Sequence, residues 1–170
     1  MCGIVGYVGH SDRAQDVIID GLRRLEYRGY DSAGVAILEG TKLRVSRAQG
    51  KLVNLESALR DVPLAGSLGI GHTRWATHGK PSERNAHPHL AGTVAVIGNG
   101  IVENFRSLRD ELVAGGSEFK SETDTEIISH LVYAERKAGK SLVDSVRTAL
   151  HRLEGSYAIA VVDETVPDEI

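Results

Sequence analysis

The chain has 170 residues, of which 41% are hydrophobic and 25% are charged, and its formal net charge at pH 7 is −3. This length suffices for one domain with a sizeable core, and the charge gives no electrostatic reason to expect a nucleic acid or a membrane surface as partner. A single cysteine excludes an intramolecular disulfide, so we expect a reducing cytoplasm. No apolar run has the length of a membrane span, and the first residues lack the features of a secretory signal.

Short apolar runs rich in β-branched residues predict six strands. They are residues 2–8, 33–39, 42–48, 67–73, 93–98 and 157–163. The second and third runs flank Gly40 and Thr41, and this arrangement predicts a hairpin. Residues 76–91 contain two of the four prolines and no periodic pattern, so we predict a long functional loop there.

Five segments with apolar residues along one helical face predict helices. They are residues 11–26, 52–59, 105–116, 123–140 and 141–155. Asp12, with Gln15 three residues later, has the spacing of a capping box for the first helix, and Ser141 is a candidate cap for the last. Because several strands follow one another without an intervening helix, the order favours an α+β fold over a doubly wound parallel sheet.

Cys2 is the only cysteine and lies one peptide bond from the first residue. Removal of Met1 would give Cys2 a free α-amine, whose pKa of about 7.7–8.0 allows it to accept the thiol proton near neutral pH. A thiol is only a few per cent thiolate at pH 7, so a base on the same residue would activate it. The position indicates an N-terminal nucleophile, with an ordinary small buried residue as the alternative.

The segment GHTRWATHG at residues 71–79 combines groups that could bind a small polar substrate. Arg74 offers a planar set of donors suited to a carboxylate, and Trp75 could form a wall or lid. The alternative is a surface arginine paired with an aspartate, next to a tryptophan in the core.

Two later segments supply complementary groups. The Asn99 side-chain amide and the Gly100 N–H could stabilise an oxyanion, or the pair could simply form a turn. Asp124, near a predicted helix start, could cap that helix or pair with a substrate ammonium. A nucleophile, oxyanion donors, an arginine for a carboxylate and an aspartate for an ammonium together indicate an amino-acid amide as substrate.

Four histidines, His72, His78, His87 and His89, lie close together in sequence and raise the hypothesis of a metal-binding module. No helical pair of HxxxH type is present, and the single cysteine is far away in sequence, so a structural zinc site would be poorly supplied with ligands. We therefore predict no metal and no cofactor. We assign His72, His87 and His89 no role beyond supporting the fold.

Five motifs in this order resemble the glutaminase domain of class II amidotransferases, the N-terminal nucleophile family. They are MCGIVGYVG, RRLEYRGYDSAGVA, HTRWATHGKPSERNAHPH, NGIVENF and SETDTE, and they extend over residues 1–130. The tyrosine in RGYDSAG resembles the branch that aminates fructose 6-phosphate rather than the related phosphoribosyl branch. The resemblance implies the four-layer αββα sandwich of N-terminal nucleophile hydrolases.

The resemblance also implies roles for individual residues. Cys2 would attack the side-chain amide of L-glutamine and form a γ-glutamyl thioester, with its own α-amine as base. Asn99 and Gly100 would form the oxyanion hole, Arg74 would bind the substrate α-carboxylate and Asp124 its α-ammonium.

Three further residues complete the implied pocket. Thr77 and His78 would lie in the loop that closes over the substrate, and Trp75 would gate the passage of ammonia to a second active site. One departure is visible, because the family usually has histidine where this chain has Gly98. That position is not an oxyanion donor, so we expect a change in local packing rather than in chemistry.

The family's glutaminase domain continues for several strands beyond residue 163. We therefore expect residues 1–170 to be a glutaminase domain truncated at its C-terminus, without the sugar isomerase domains that bind fructose 6-phosphate, and to show weak or no activity alone. The parent enzyme would be a homodimer. The alternatives are a different ammonia acceptor, such as phosphoribosyl pyrophosphate, and a catalytically silent fragment that binds a partner or an amino acid.

Overall fold

A computed structural model describes residues 2–76 and 79–170, which form an α+β fold with two antiparallel sheets. The strands are β1 (Gly3–Val8), β2 (Ser32–Glu39), β3 (Lys42–Gln49), β4 (Leu68–Arg74), β5 (His89–Ala91), β6 (Val94–Val102) and β7 (Gly155–Asp163). The helices are α1 (Ala14–Leu25), α2 (Leu52–Asp61), α3 (Phe105–Ala114), α4 (Glu126–Lys137) and α5 (Leu142–Leu150).

The first sheet has the strand order β1-β4-β2-β3 and the second has the order β5-β6-β7. In the first sheet β4 lies between β1 and β2, so Gly3 pairs with Thr73 while Ser32 pairs with Arg74. This register brings the start of the chain next to the end of β4.

Alternation along β2 shows how the layers are held together. Val35 and Ile37 pack against α1 and α2, whereas Ala36 and Leu38 point the other way into a core shared with Ile97 and the rest of the second sheet. Successive side chains of a strand point to opposite faces, so one strand serves two apolar cores.

The outer face of the second sheet packs against α3, α4 and α5 through a third cluster. The result is four layers in the order helices, sheet, sheet, helices, which confirms the predicted αββα sandwich. The helices have 9 to 12 residues. Within the described ranges, no helix is long and apolar enough to cross a bilayer.

Several local predictions can be compared with these elements. The hairpin is confirmed, with Glu39 paired to Lys42 and Gly40 at φ +61° in the turn. Ser141 is confirmed as a cap, because its hydroxyl accepts the Asp144 N–H at 3.1 Å. The long loop was predicted to reach residue 91, but its last residues form β5, paired with the start of β6.

The capping box predicted for α1 is wrong. The N-cap of this helix is Arg13, and no side chain caps it. Gln15 uses its side-chain oxygen elsewhere, accepting the Leu64 N–H at 2.8 Å and so tying α1 to the segment after α2.

Candidate active site

A cavity of about 240 Å³ opens between the end of β4, the second half of β6 and the segment before α4. Six of the predicted site residues line it: Cys2, Arg74, Trp75, Asn99, Gly100 and Asp124. The predicted pocket residues Thr77 and His78 lie outside the described residues, as does Met1. His72, His87 and Thr123, which had been given no catalytic or binding role, also line the cavity.

Cys2 lies immediately before β1 at the mouth of the cavity. Its Sγ is 3.3 Å from the Trp75 backbone nitrogen, which donates to it, and 3.7 Å from the Trp75 carbonyl oxygen. The next residue must be small, because a Cβ at Gly3 would lie 2.6 Å from Thr73 Oγ1 and 2.8 Å from Leu25 Cβ. Close pairing of β1 and β4 therefore holds the half-buried thiol against the backbone of residue 75.

Asn99 and Gly100 lie within β6, so the interpretation of this pair as a turn is wrong. The Asn99 Nδ2 donates to the Cys2 carbonyl oxygen at 3.4 Å, which places the amide beside Cys2. Gly100 has φ +146°, and a Cβ there would lie 2.2 Å from the Ser156 carbonyl oxygen. Only glycine fits this backbone conformation against β7.

Arg74 is not a surface arginine, because only 4% of it is exposed. Its Nη1 lies 3.8 Å from Asp31 Oδ1, and its Nη2 donates to the Gly79 carbonyl oxygen at 3.0 Å. Trp75 is not a core residue either, since 49% of it is exposed and its ring packs edge-to-face on Tyr30 with centroids 5.4 Å apart. The alternative is therefore wrong about a surface arginine and a core tryptophan, but its arginine–aspartate pair is present, between Arg74 and Asp31.

Asp124 is buried, with 3% of its surface exposed, and lies two residues before α4. Its Oδ2 accepts the Val102 N–H at 2.8 Å, so the carboxylate contacts the end of β6. No side chain caps α4, whose N-cap is Thr125. Asp124 is therefore not the N-cap residue of α4, and its carboxylate contacts β6.

Glu126 holds the loop that carries Asp124. Its carboxylate accepts the Lys120 and Ser121 backbone N–H groups at 2.7 Å each and the Ser121 hydroxyl at 2.6 Å. Burial acts to raise the pKa of Glu126, but His130 and the hydrogen bonds from residues 120 and 121 lower it to about 2. Glu126 is therefore ionised at neutral pH, and its carboxylate holds the loop in place through these hydrogen bonds.

Three histidines form a buried group, and two of them, His72 and His87, line the cavity. The rings of His72 and His87 are stacked, with centroids 4.2 Å apart and planes at 13°, and His89 is tilted against His87 at 4.4 Å. His87 Nδ1 accepts the Gly98 N–H at 3.1 Å, and His89 Nε2 is 2.8 Å from Thr123 Oγ1.

Burial of these rings disfavours the imidazolium form. It lowers the pKa of His72 and His89 to about 3, and that of His87 well below its usual value, with the nearby Arg74 adding to the effect. All three are therefore neutral at pH 7. Among the described residues, no group of three or more His, Cys, Asp or Glu side chains is arranged to hold a metal ion.

The cavity thus combines a thiol at its mouth with a buried guanidinium and a buried carboxylate deeper inside. Opposite charges held in one small space suit a zwitterion such as an amino acid, because each charge of the ligand finds an oppositely charged partner. The oxyanion donors predicted at Asn99 and Gly100 lie on the same wall as the thiol.

Comparisons with known proteins agree with this geometry. Residues 72–168, more than half of the chain, match the family described as "Glutamine amidotransferase domain". The chain is 55% identical over all 170 residues to the glutamine–fructose-6-phosphate aminotransferase [isomerizing] of Rhizobium meliloti strain 1021, of which it covers 28%. It is 58% identical over 162 residues to the protein of the same name from Mesorhizobium japonicum, of which it covers 26%.

Solved structures show the same fold. The glutamine phosphoribosylpyrophosphate amidotransferase of B. subtilis matches 96% of the chain with a TM-score of 0.81 and 30% sequence identity, over 35% of its own length. A glutamine aminotransferase class-II domain protein from Silicibacter pomeroyi matches 96% of the chain with a TM-score of 0.63, over 73% of its length. At 17% identity, this second match shows similarity of fold alone.

Proposed function

The chain belongs to the glutamine amidotransferase domain family, and we propose that it hydrolyses L-glutamine to glutamate and ammonia through a γ-glutamyl thioester on Cys2. The observation that carries the proposal is the meeting of one thiol, two candidate oxyanion donors and two opposite buried charges in a single cavity. No single segment of the chain contains all of these groups.

Substrate recognition rests on Arg74 and Asp124. The guanidinium can bind the α-carboxylate through two parallel donors, and the carboxylate can bind the α-ammonium. Both side chains are buried, and electrostatic interactions are stronger where water is excluded. Thr77 and His78 would complete this pocket.

The chemical steps start from a chain that has lost Met1. The free α-amine of Cys2 takes the thiol proton, and Sγ attacks the side-chain carbonyl carbon of glutamine. Collapse of the tetrahedral intermediate breaks the C–N bond, and the ammonium form of the α-amine protonates the departing ammonia. A water molecule, activated by the same amine, then hydrolyses the thioester and releases glutamate.

The oxyanion of each tetrahedral intermediate would lie against Asn99 Nδ2 and the Gly100 N–H. The contact of the Asn99 amide with the Cys2 carbonyl at 3.4 Å supports this role, because it holds the donor next to the residue that carries the thiol. Loss of one such donor typically reduces kcat by about 10²–10³.

We further propose that the ammonia serves amino-sugar synthesis in a longer parent enzyme. The relatives that are 55% and 58% identical are named for fructose 6-phosphate, whereas the phosphoribosylpyrophosphate enzyme is 30% identical. In this proposal residues 1–170 are the glutaminase domain, fructose 6-phosphate binds elsewhere in a cytoplasmic homodimeric parent, and Trp75 gates ammonia at the exposed rim. The chain spans about 28% of the length of these relatives.

The intact mass before and after exposure to an electrophilic glutamine analogue tests the proposal. We expect loss of one methionine, followed by a single adduct on Cys2 that excess L-glutamine prevents. Processed protein that fails to label, or an adduct elsewhere that glutamine does not block, would contradict a formed glutamine pocket.

Turnover of L-glutamine to glutamate is measured on the same sample, with Cys2→Ser as the matched variant. We expect Cys2→Ser to abolish turnover while leaving thermal unfolding unchanged, because the hydroxyl is a far weaker nucleophile of similar size. The prediction that the isolated chain has weak or no activity is tested by the same assay. Activity in protein that retains Met1 would overturn the role of the α-amine.

A further inference from the structure

The backbone of β6 around the oxyanion pair has an unusual source of support. On one side β6 pairs with β7 along its whole length, but on the other side β5 pairs only with residues 94–96. Beyond residue 96, side chains instead of a neighbouring strand accept two of the N–H groups along this edge of β6. The Gly98 N–H goes to His87 Nδ1 at 3.1 Å, and the Val102 N–H goes to Asp124 Oδ2 at 2.8 Å.

Gly100 lies midway between these two supported positions. Successive N–H groups of a strand alternate between its two edges, so the Gly100 N–H points to the same edge as those of Gly98 and Val102. That edge is the one that faces the cavity. The candidate oxyanion donor is therefore flanked, two residues away on each side, by a backbone N–H that a buried side chain holds in place.

His87 is well suited to hold its side of this arrangement. Its ring is fixed between His72, which is stacked on it at 4.2 Å, and His89, which Thr123 in turn contacts at 2.8 Å. Only a neutral imidazole has an acceptor nitrogen. Burial lowers the pKa of His87, and the charged groups that face it, Arg74 from β4 and Arg47 from β3, lower it further.

We propose that His87 is a positioning residue for the oxyanion hole, because its Nδ1 accepts the Gly98 N–H and thereby fixes the direction of the Gly100 N–H. This inference rests on the proposed glutaminase function. The side chain contacts the backbone of β6 and acts on the substrate only through it. The alternative is that His87 merely fills space in the core.

Two substitutions separate these roles. His87→Leu keeps similar volume and removes the acceptor, whereas His87→Asn places an amide oxygen near the position of Nδ1. We expect His87→Leu to lower kcat by about 10- to 100-fold, part of the effect of losing one oxyanion donor. Its KM should stay within about twofold, because Arg74 and Asp124 are untouched, and His87→Asn should recover most of the lost kcat.

Alkylation of Cys2 by iodoacetamide is the control for an intact nucleophile. This reaction forms no oxyanion, so its rate should be the same in both variants and in the unaltered chain. Equal losses of kcat in the two variants, or a raised KM with unchanged kcat, would overturn the positioning role.

A measurement independent of turnover distinguishes failure of this inference from failure of the proposed function. NMR of the imidazole nitrogens should show His87 protonated at Nε2 and not at Nδ1 between pH 5 and 8, and the Gly98 and Gly100 amides should exchange faster with solvent in His87→Leu than in His87→Asn. An Nδ1–H tautomer or identical exchange in the two variants would overturn the inference, even if the chain proved not to hydrolyse glutamine. Should the leucine variant fail to fold, His87→Met, which also lacks a strong acceptor, takes its place with the same expected results.

Discussion

The inner and outer walls of the cavity are built in different ways. On the inner wall Arg74, His87 and Asp124 are each at most 4% exposed. Each of these side chains forms a hydrogen bond with a backbone group of another residue. On the outer rim Cys2 is half-buried, and Trp75 and Tyr30 are 49% and 51% exposed. The inner wall is thus fixed by contacts within the chain, whereas the rim leaves the Cys2 thiol accessible from the cavity.

This difference implies that substitutions should have effects that depend on the wall. An inner group that loses its charge leaves an opposite charge of the ligand buried without a partner, which is expensive in free energy. Substitution of a side chain on the rim mostly replaces one solvent-exposed contact with another.

The largest effect is expected for Asp124→Asn. The amide oxygen can still accept the Val102 N–H, so the fold should persist, while the charge for the substrate ammonium is gone. We expect kcat/KM for L-glutamine to fall by about 10²–10³, mainly through KM, since breaking a buried charge pair removes about 2–5 kcal/mol. Steady-state kinetics measure this, with Asp20→Asn on the exposed face of α1 as control. An unchanged KM in Asp124→Asn would contradict the assignment.

Low pH should lower the free energy of unfolding through the buried histidines. His72 and His89 have a pKa of about 3 in the folded chain, against about 6.5 when unfolded. Between these values the unfolded chain binds more protons, so stability is full above pH 6.5 and falls as pH decreases, by on the order of 1 kcal/mol per pH unit for each histidine.

Urea unfolding at pH 7, 6, 5 and 4.5 measures this decline. Protonation of Glu126 and Asp163, whose pKa values are lowered in the folded chain, also destabilises the fold. This happens mainly below the ordinary pKa values of these groups, near 4.5 and 3.8. The decline in stability above pH 4.5 therefore comes mainly from the histidines. Replacing the exposed His10 with Asn should leave the slope unchanged. A flat stability between pH 6.5 and 4.5 would show that the histidines are not buried in neutral form.

A smaller effect is expected at Gly98, where the family usually has histidine. A Cβ at this position would lie 2.7 Å from Thr125 Cγ2, and β-branched side chains have little freedom to turn away. Gly98→Ala should therefore lower the free energy of unfolding by about 1–3 kcal/mol. Thr125→Ser removes that methyl group, so the double variant should recover most of the loss in a urea titration. The same loss in both backgrounds would refute a steric cause.

The smallest effect is expected on the rim. Tyr30→Ala removes the edge-to-face contact with the Trp75 ring, and such pairs contribute about 0.5–1.5 kcal/mol. The hydrogen bonds between Trp75 and Cys2 Sγ come from the Trp75 backbone, so hydrolysis of L-glutamine should change by less than about threefold. Thermal unfolding and the glutaminase assay measure the two quantities. A tenfold loss of kcat/KM would show that the rim takes part in setting the nucleophile.

Structural features that depend on residues close together in sequence were predictable from the sequence alone. Short apolar runs rich in β-branched residues predicted the strands of the first sheet, and Gly40 with Thr41 predicted the hairpin, because both depend on neighbours in sequence. The short motifs around Cys2, Arg74 and Asp124 likewise predicted residues that the fold brings to one cavity. Their chemistry depends on residue type, which the sequence records directly.

Features that depend on distant partners were not predictable in this way. The strand β5 has three residues and exists because β6 lies beside it, and the capping box at Asp12 failed because Gln15 accepts the distant Leu64 N–H instead. From the sequence, His87 was expected only to support the fold, because residue type does not reveal burial. Its neutral form and its hydrogen bond to β6 arise only when the loop folds against β4, where desolvation decides the protonation state.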